Sequence, residues 1–130
     1  MPQFRVSEAA ALLGVSDDTV RRWCETGRLT AQPGPGGRQV VDGAQLAALA
    51  TELATAPGDH GRGHGSARNR LVGLVTAIRT DTVMAQVEMQ AGPYRVVALV
   101  SREAVDELGL EIGAKAVAVV KATNVTLEVE

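Results

Sequence analysis

Apolar positions follow two different periods along the chain, and the change falls near residue 65. Before it the spacing is helical. Ser7 stands ahead of "EAAALL" and is placed to cap a helix, which Gly14 ends with the backbone freedom a sharp turn needs. Ser16 then starts a second helix, "SDDTVRRWCETG". In it Asp17 and Asp18 occupy the first turn, where the dipole favours acids, Val20, Trp23 and Cys24 make one apolar face, and Gly27 closes the segment. "RLTAQPGPGGRQVV" predicts a short extended pair around a Pro/Gly turn, and Asp42 is placed to cap a third helix with Leu46, Leu49 and Leu53 on its inner side. The expected order is helix, turn, helix, wing, helix.

Beyond residue 66 the period shortens. "LVGLVTAIR", "TVMAQVEMQ", "YRVVALV", "AVAVVK" and "NVTLEV" are short, rich in β-branched residues and separated by turn-like residues, with one helix, "REAVDELG", between Ser101 and Gly109. Five strands and one short helix predict a small closed or half-closed barrel. The second strand sets Val83, Ala85, Val87 and Met89 on one face and Gln86 and Glu88 on the other. The first is apolar on both faces, Leu71, Val75 and Ala77 against Val72, Leu74 and Ile78, so both of its sides should be covered, one of them naturally by a partner subunit.

Between the two periods lies "PGDHGRGHG", residues 57–65, with four Gly, one Pro and no apolar side chain, which describes a flexible linker. The expected organisation is an α + β chain of two domains, residues 1–55 and 66–130, joined by a tether over 56–65. His60 and His64 are four apart in that tether, but no helix holds them on one face, so no metal site is expected.

Composition supports two small folded units. The chain is 45% apolar and 22% charged, with Phe4, Trp23 and Tyr94 its only aromatic residues, so both cores must be built from Val, Leu, Ile and Ala. Units this small gain little from one core; with a single Cys, no intrachain disulfide and no Cys/His zinc set are available, which leaves oligomerisation. The net charge is −2, and charge is balanced within each half, which argues against a broadly basic nucleic-acid coat but not against a local patch. "MPQFRVSEAA" lacks the basic start and apolar stretch of a secretory signal, and no apolar run reaches the roughly 20 residues of a membrane span, so a cytoplasmic protein without a membrane partner is expected. No Ser/His/Asp, Cys/His or paired-acid constellation falls in an ordered segment, and no enzyme is expected.

The helical half carries the first candidate chemistry. A helix-turn-helix sets its second helix in the major groove of DNA, with polar side chains near the N-terminus reaching bases or phosphates. Thr19 and Arg22 are three apart on the exposed side of that helix, Arg21 flanks them, Ser16 stands at its start, and Arg38 in the wing is placed to reach a neighbouring groove or phosphate. The alternative is that Asp18 and Arg22, four apart, pair on a solvated face. From Ala9 through Leu29 the sequence keeps the pattern "AA.LLGVS..TVRRW...G.L" and resembles the excisionase and MerR-type winged-helix group, a likeness that extends over residues 4–53. It implies DNA binding by Ser16, Thr19, Arg21, Arg22 and Arg38, although the wing holds a single basic residue.

The second candidate site joins two distant segments. A tetrahedral oxyanion offers acceptor oxygens and no donors, so it needs converging N–H and O–H groups in a shielded place. In "SARN", Ser66 supplies a hydroxyl, small Ala67 lets backbone amides approach, and Arg68 brings five donors; in "VVKATNV", Lys121 follows an apolar strand and Thr123 adds a second hydroxyl. Taken alone, each segment also reads as a strand end with a surface charge. Together they resemble the Mop domain of molbindins and of molybdate-responsive regulators, a TOBE-like, OB-like barrel, over residues 66–130. The resemblance implies molybdate or tungstate bound at subunit contacts by Ser66, Ala67, Arg68, Asn69, Lys121, Ala122 and Thr123, in a homo-oligomer that is a hexamer, a trimer of dimers. Arg70, where the family is commonly uncharged, and Thr123, where it has Ser, depart from the pattern. The function implied is a molybdate- or tungstate-responsive regulator binding DNA. The alternatives are an intracellular molybdate store and a filament-forming DNA binder with a purely structural anion site.

Overall fold

The computed structural model describes residues 2–55, 58 and 65–130. Contacts divide the chain into Met1–Thr55 and Ala56–Glu130. The predicted tether lies mostly outside the described residues, as do His60 and His64.

In the first unit the helices are α1 (Val6–Leu13), α2 (Asp17–Glu25) and α3 (Gly43–Leu53). Ser16 and Asp42 cap as the sequence predicts: Ser16 Oγ accepts the Thr19 N–H at 3.1 Å, and Asp42 Oδ2 accepts that of Gln45 at 3.0 Å. Ser7 does not cap α1. The helix starts a residue earlier than Ser7, and the Glu8 carboxylate accepts the Arg5 backbone N–H at 3.1 Å. Gly14 ends α1 in the left-handed region, at φ 69°.

Three strands, β1 (Gln3–Arg5), β2 (Ala31–Pro33) and β3 (Gln39–Asp42), form an antiparallel sheet in the order β1-β3-β2. The sequence reading missed β1, because three residues are too short to show a period and the pairing of Phe4 with Val41 is long-range. Ala9, Ala10, Val20, Leu29, Val41, Leu46 and Leu49 make the core, and Phe4, Trp23 and Cys24 pack against it. Leu53, expected inside, is 40% exposed, because it is the last residue of α3 and no further turn covers it.

The second unit holds β4 (Asn69–Thr80), β5 (Met84–Ala91), β6 (Tyr94–Ser101), β7 (Lys115–Val120) and α4 (Arg102–Leu108). Ser101 Oγ caps α4 by accepting the Ala104 N–H, and Gly109 ends it. The strands are antiparallel in the order β6-β5-β4-β7, and Val75, Ala85, Val87 and Val105 form the centre of the core.

Three expectations need correction here. The fifth strand does not form: after a 3₁₀ turn at Ala122–Asn124, residues 125–130 join no strand among the described residues, and Leu127 and Val129 are 90% and 96% exposed. A strand needs an edge as well as an alternating pattern, and here β6 and β7 remain the outer strands of an open sheet. A register shift between Val75 and Ala77 moves Ile78 onto the core face with Val75, so strict alternation assigned the end of β4 to the wrong sides. Val83 is 67% exposed because it belongs to the turn before β5. There Asp81 Oδ1 accepts the N–H groups of Met84 and Val83 at 2.7 and 2.8 Å, bonds that hold its carboxyl below the usual carboxylate range.

Gly73 shows how closely β4 and β5 approach. A Cβ there would lie 2.2 Å from the Gln90 carbonyl oxygen. Gly73→Ala should therefore cost about 1–3 kcal/mol and lower the unfolding temperature by at least about 4 °C in a thermal melt. An unchanged melting temperature would mean that the strands part without cost. Among the described residues, no helix is long and apolar enough to cross a membrane.

Candidate functional site

The β4–β7 ladder brings the two halves of the proposed anion site to one end. Its register runs from Leu74 opposite Lys115 to Asn69 opposite Val120, so residues 66–68 and 121–123 emerge side by side from paired strand ends. Asn69 secures this end: its Nδ2 donates to the Val120 carbonyl at 3.1 Å. That bond uses one of the two N–H donors of the Asn69 amide. Arg68 Nη1 donates to the Ser66 carbonyl at 3.0 Å, folding the guanidinium along its own tetrapeptide with donors to spare. Lys121 begins the 3₁₀ turn, and its carbonyl accepts the Asn124 N–H at 2.9 Å.

Two cations and two hydroxyls, from Ser66, Arg68, Lys121 and Thr123, thus share one end of the sheet, all exposed, with Ala67 half-buried between them. A single chain leaves this group open to water, where a screened cation holds an anion weakly. The outer face of the same sheet is also uncovered. Leu74, Val97, Leu99 and Val119 all lie on it and are 55%, 46%, 70% and 51% exposed. Exposed apolar side chains gathered on one face are uncommon on a monomer.

In the first unit the candidates divide. The Ser16 and Thr19 hydroxyls are 3.0 Å apart and bond each other within the helix cap, and Thr19 is half-buried, so both serve α2 itself. The alternative pairing of Asp18 with Arg22 does not form. Asp18 instead binds Arg21 at 3.0 Å, one residue nearer, and among the described residues Arg22 has no carboxylate partner. Arg28 pairs with Glu52 at 2.9 Å. Arg38 follows the wing's 3₁₀ turn, where its carbonyl accepts the Gly34 N–H at 2.7 Å. Arg21 and Arg38 line a cleft of about 350 Å³, and so does Arg5, which the sequence reading passed over. No local signal marks Arg5; only the pairing of β1 with β3 carries it there.

Burial, and then the neighbouring Glu25, push the Cys24 thiol above its usual range, opposite to what a nucleophilic thiolate needs. Among the described residues, no three His, Cys, Asp or Glu side chains could hold a metal ion.

Comparison with known proteins matches each unit separately. The profile of the TOBE domain matches residues 65–127, and that of a helix-turn-helix domain matches residues 4–54. A probable molybdenum-pterin-binding protein of Haemophilus influenzae is 46% identical over 66 residues, 50% of this chain and 96% of that protein. Molybdenum-pterin-binding protein 2 of Clostridium pasteurianum is 40% identical over 63 residues, 48% of this chain and 93% of that protein. Among solved structures, a molybdate-binding protein from Sporomusa ovata is 35% identical, with a TM-score of 0.49 over 50% of this chain and 97% of that one.

Proposed function

Because the chain belongs to the TOBE-domain family of molybdenum-pterin-binding proteins and carries a helix-turn-helix domain ahead of that domain, we propose that it is a cytoplasmic regulator that binds molybdate or tungstate and reads DNA. The observation that supports anion binding is the pairing of Asn69 with Val120, which sets Ser66, Ala67 and Arg68 beside Lys121, Ala122 and Thr123. Shielding comes from a second subunit. The uncovered face with Leu74 and Leu99 supports a homo-oligomer, which we take to be a hexamer, a trimer of dimers. In that assembly the C-terminal residues 124–129 complete a five-stranded barrel.

Residues 1–55 form the DNA-reading domain, a three-helix winged helix-turn-helix in which Arg21, Arg22 and Arg38 carry the contacts and Ser16 and Thr19 hold the start of α2. Residues 56–65 tether it to the barrel domain, residues 66–130. A reader with few cations gains affinity when several copies are tethered to one oligomer, since the second contact is then made at high local concentration. Anion binding between subunits therefore strengthens DNA binding by strengthening the assembly.

Storage of molybdate without DNA binding is the second reading, and Arg22 and Arg38, which have no carboxylate partner among the described residues, favour the regulator. Gel shifts on the DNA upstream of the protein's own gene, with and without molybdate, separate the two. Replacing Arg21 and Arg22 together by Ala should weaken binding at least about tenfold, since the loss of one phosphate contact alone lowers the salt exponent by about 0.9. Equal affinity of variant and parent in both conditions leaves the storage reading in place.

A further inference from the structure

The cleft that Arg5 joins is formed by four elements: the end of β1, the start of α1, the first turns of α2, and the residues after the wing's turn. Arg5, Arg21 and Arg38 line it, with Ser7 and Gln39 as neutral polar neighbours and Asp17 as its one carboxylate. With Asp18 bound to Arg21 beside the cleft, three guanidinium groups face two carboxylates, a local excess of one cation in a part of the chain, residues 1–55, whose five Arg are outnumbered by six acids. The fold makes this excess by directing other charges elsewhere. Glu52 neutralises Arg28, and Glu8 is occupied by the Arg5 backbone N–H. Among the described residues, Arg5 and Arg38 have no acidic partner, and Arg21, held by Asp18, keeps further donors.

Like charges gathered on three elements repel one another, and an anion placed among them relieves the repulsion. A guanidinium fork fits the oxygens of a phosphate, and several forks around one cleft fit it from several sides. We infer that this cleft seats a backbone phosphate of DNA and that Arg5 is a phosphate contact. The inference rests on the DNA-reading function above and adds to it a residue and a division of labour. The cleft borders α2 on the side of Asp17 and Arg21, whereas Arg22, a further 100° around the helix, faces away from it. A phosphate held in the cleft fixes how α2 lies along the duplex, and Arg22 is left for the bases. Phosphate contacts position, and base contacts specify.

Free oxyanion is the other source of the same chemistry. The cleft is open to solvent, and its arginines are exposed, which suits a polymer laid across the surface better than a small ion that must be enclosed.

The test is titration of the full-length protein into a labelled mixed-sequence DNA duplex over a range of salt concentrations, for the parent and for Arg5→Ala, Arg38→Ala, Arg5→Lys and Arg22→Ala. Arg5 contributes only its backbone N–H to the start of α1, so its side chain can be replaced without loss of that bond. Circular dichroism checks the fold of every variant. Arg5→Ala and Arg38→Ala should each lower the slope of log affinity against log salt by about 0.9, which is a loss of about eightfold at 0.1 M salt. Arg5→Lys should keep the slope, and molybdate binding, measured by calorimetry, should be unaltered in all four. Parent slope and affinity in Arg5→Ala, with Arg22→Ala weakened, would overturn the cleft while leaving DNA reading intact. Loss of molybdate binding in Arg5→Ala would assign the cleft to free oxyanion instead. Failure of the parent protein to bind the duplex would remove both the cleft and the function it rests on.

Discussion

Molybdate affinity is expected to fall at least about a hundredfold when Arg68 and Lys121 are both replaced by Ala, since a hydrogen bond to a charged group contributes about 1.5–3 kcal/mol and each 1.4 kcal/mol is tenfold. The two side chains stand at the paired ends of β4 and β7, where the register from Leu74 to Asn69 delivers them from segments far apart in sequence. Neither supports the fold to a degree that would confuse the result. Arg68 makes one exposed bond to the Ser66 carbonyl, and the fold contact of Lys121 is through its backbone carbonyl. Titration calorimetry on the folded variant gives the answer, and each single variant should lose about tenfold. An unchanged dissociation constant in the double variant places the anion elsewhere. Asn69 adds a contact within the fold, because its side chain also closes the ladder end by donating to the Val120 carbonyl.

The second large effect is expected on assembly. Leu99→Asp should convert the oligomer to single chains in light scattering and abolish anion binding at subunit contacts at the same time. Leu99 is 70% exposed on the outer face of β6, so in an isolated chain the new carboxylate stays in water and changes stability by no more than about 0.5 kcal/mol. Under a partner subunit the same carboxylate would be buried without a counter-charge, at a cost of several kcal/mol for each subunit. A folded monomer is therefore the expected product. An oligomer of unchanged mass would show that the subunits meet on another surface.

Much of the local structure was legible in the sequence, because caps and stops are chemical facts about single residues. Ser16, Asp42 and Ser101 each offer an oxygen to a backbone N–H three residues on, and Gly14 and Gly109 reach the left-handed region that ends a helix. Faces were read well where a strand is regular: Ala85, Val87 and Met89 are buried as their alternation predicts. They were misread where the ladder slips, since a one-residue bulge reverses every side chain beyond it and leaves no mark in the pattern of β4. Ser7 was misread for a related reason. Glu8 offered a competing acceptor, and only the backbone path decided which residue began α1.

The two candidate sites differ in the same way. Ser66, Arg68, Lys121 and Thr123 are proposed from their chemistry, but nothing local says that residues 66–68 and 121–123 follow from neighbouring strand ends. Arg5 was not found at all, being one cation among several until β1 pairs with β3 and sets it beside Arg21 and Arg38.

By itself, then, the sequence determined where helices start and stop, which half is helical and which is stranded, and which residue types can hold an oxyanion, because each follows from one residue or a short period. The tertiary structure decided the register of β4, the ending of β4 and β7 side by side at Asn69 and Val120, the cleft around Arg5, and the open sheet whose last predicted strand stays unpaired among the described residues. These depend on contacts between residues distant along the chain, and such contacts are chosen by the packing of the whole unit rather than by any segment within it.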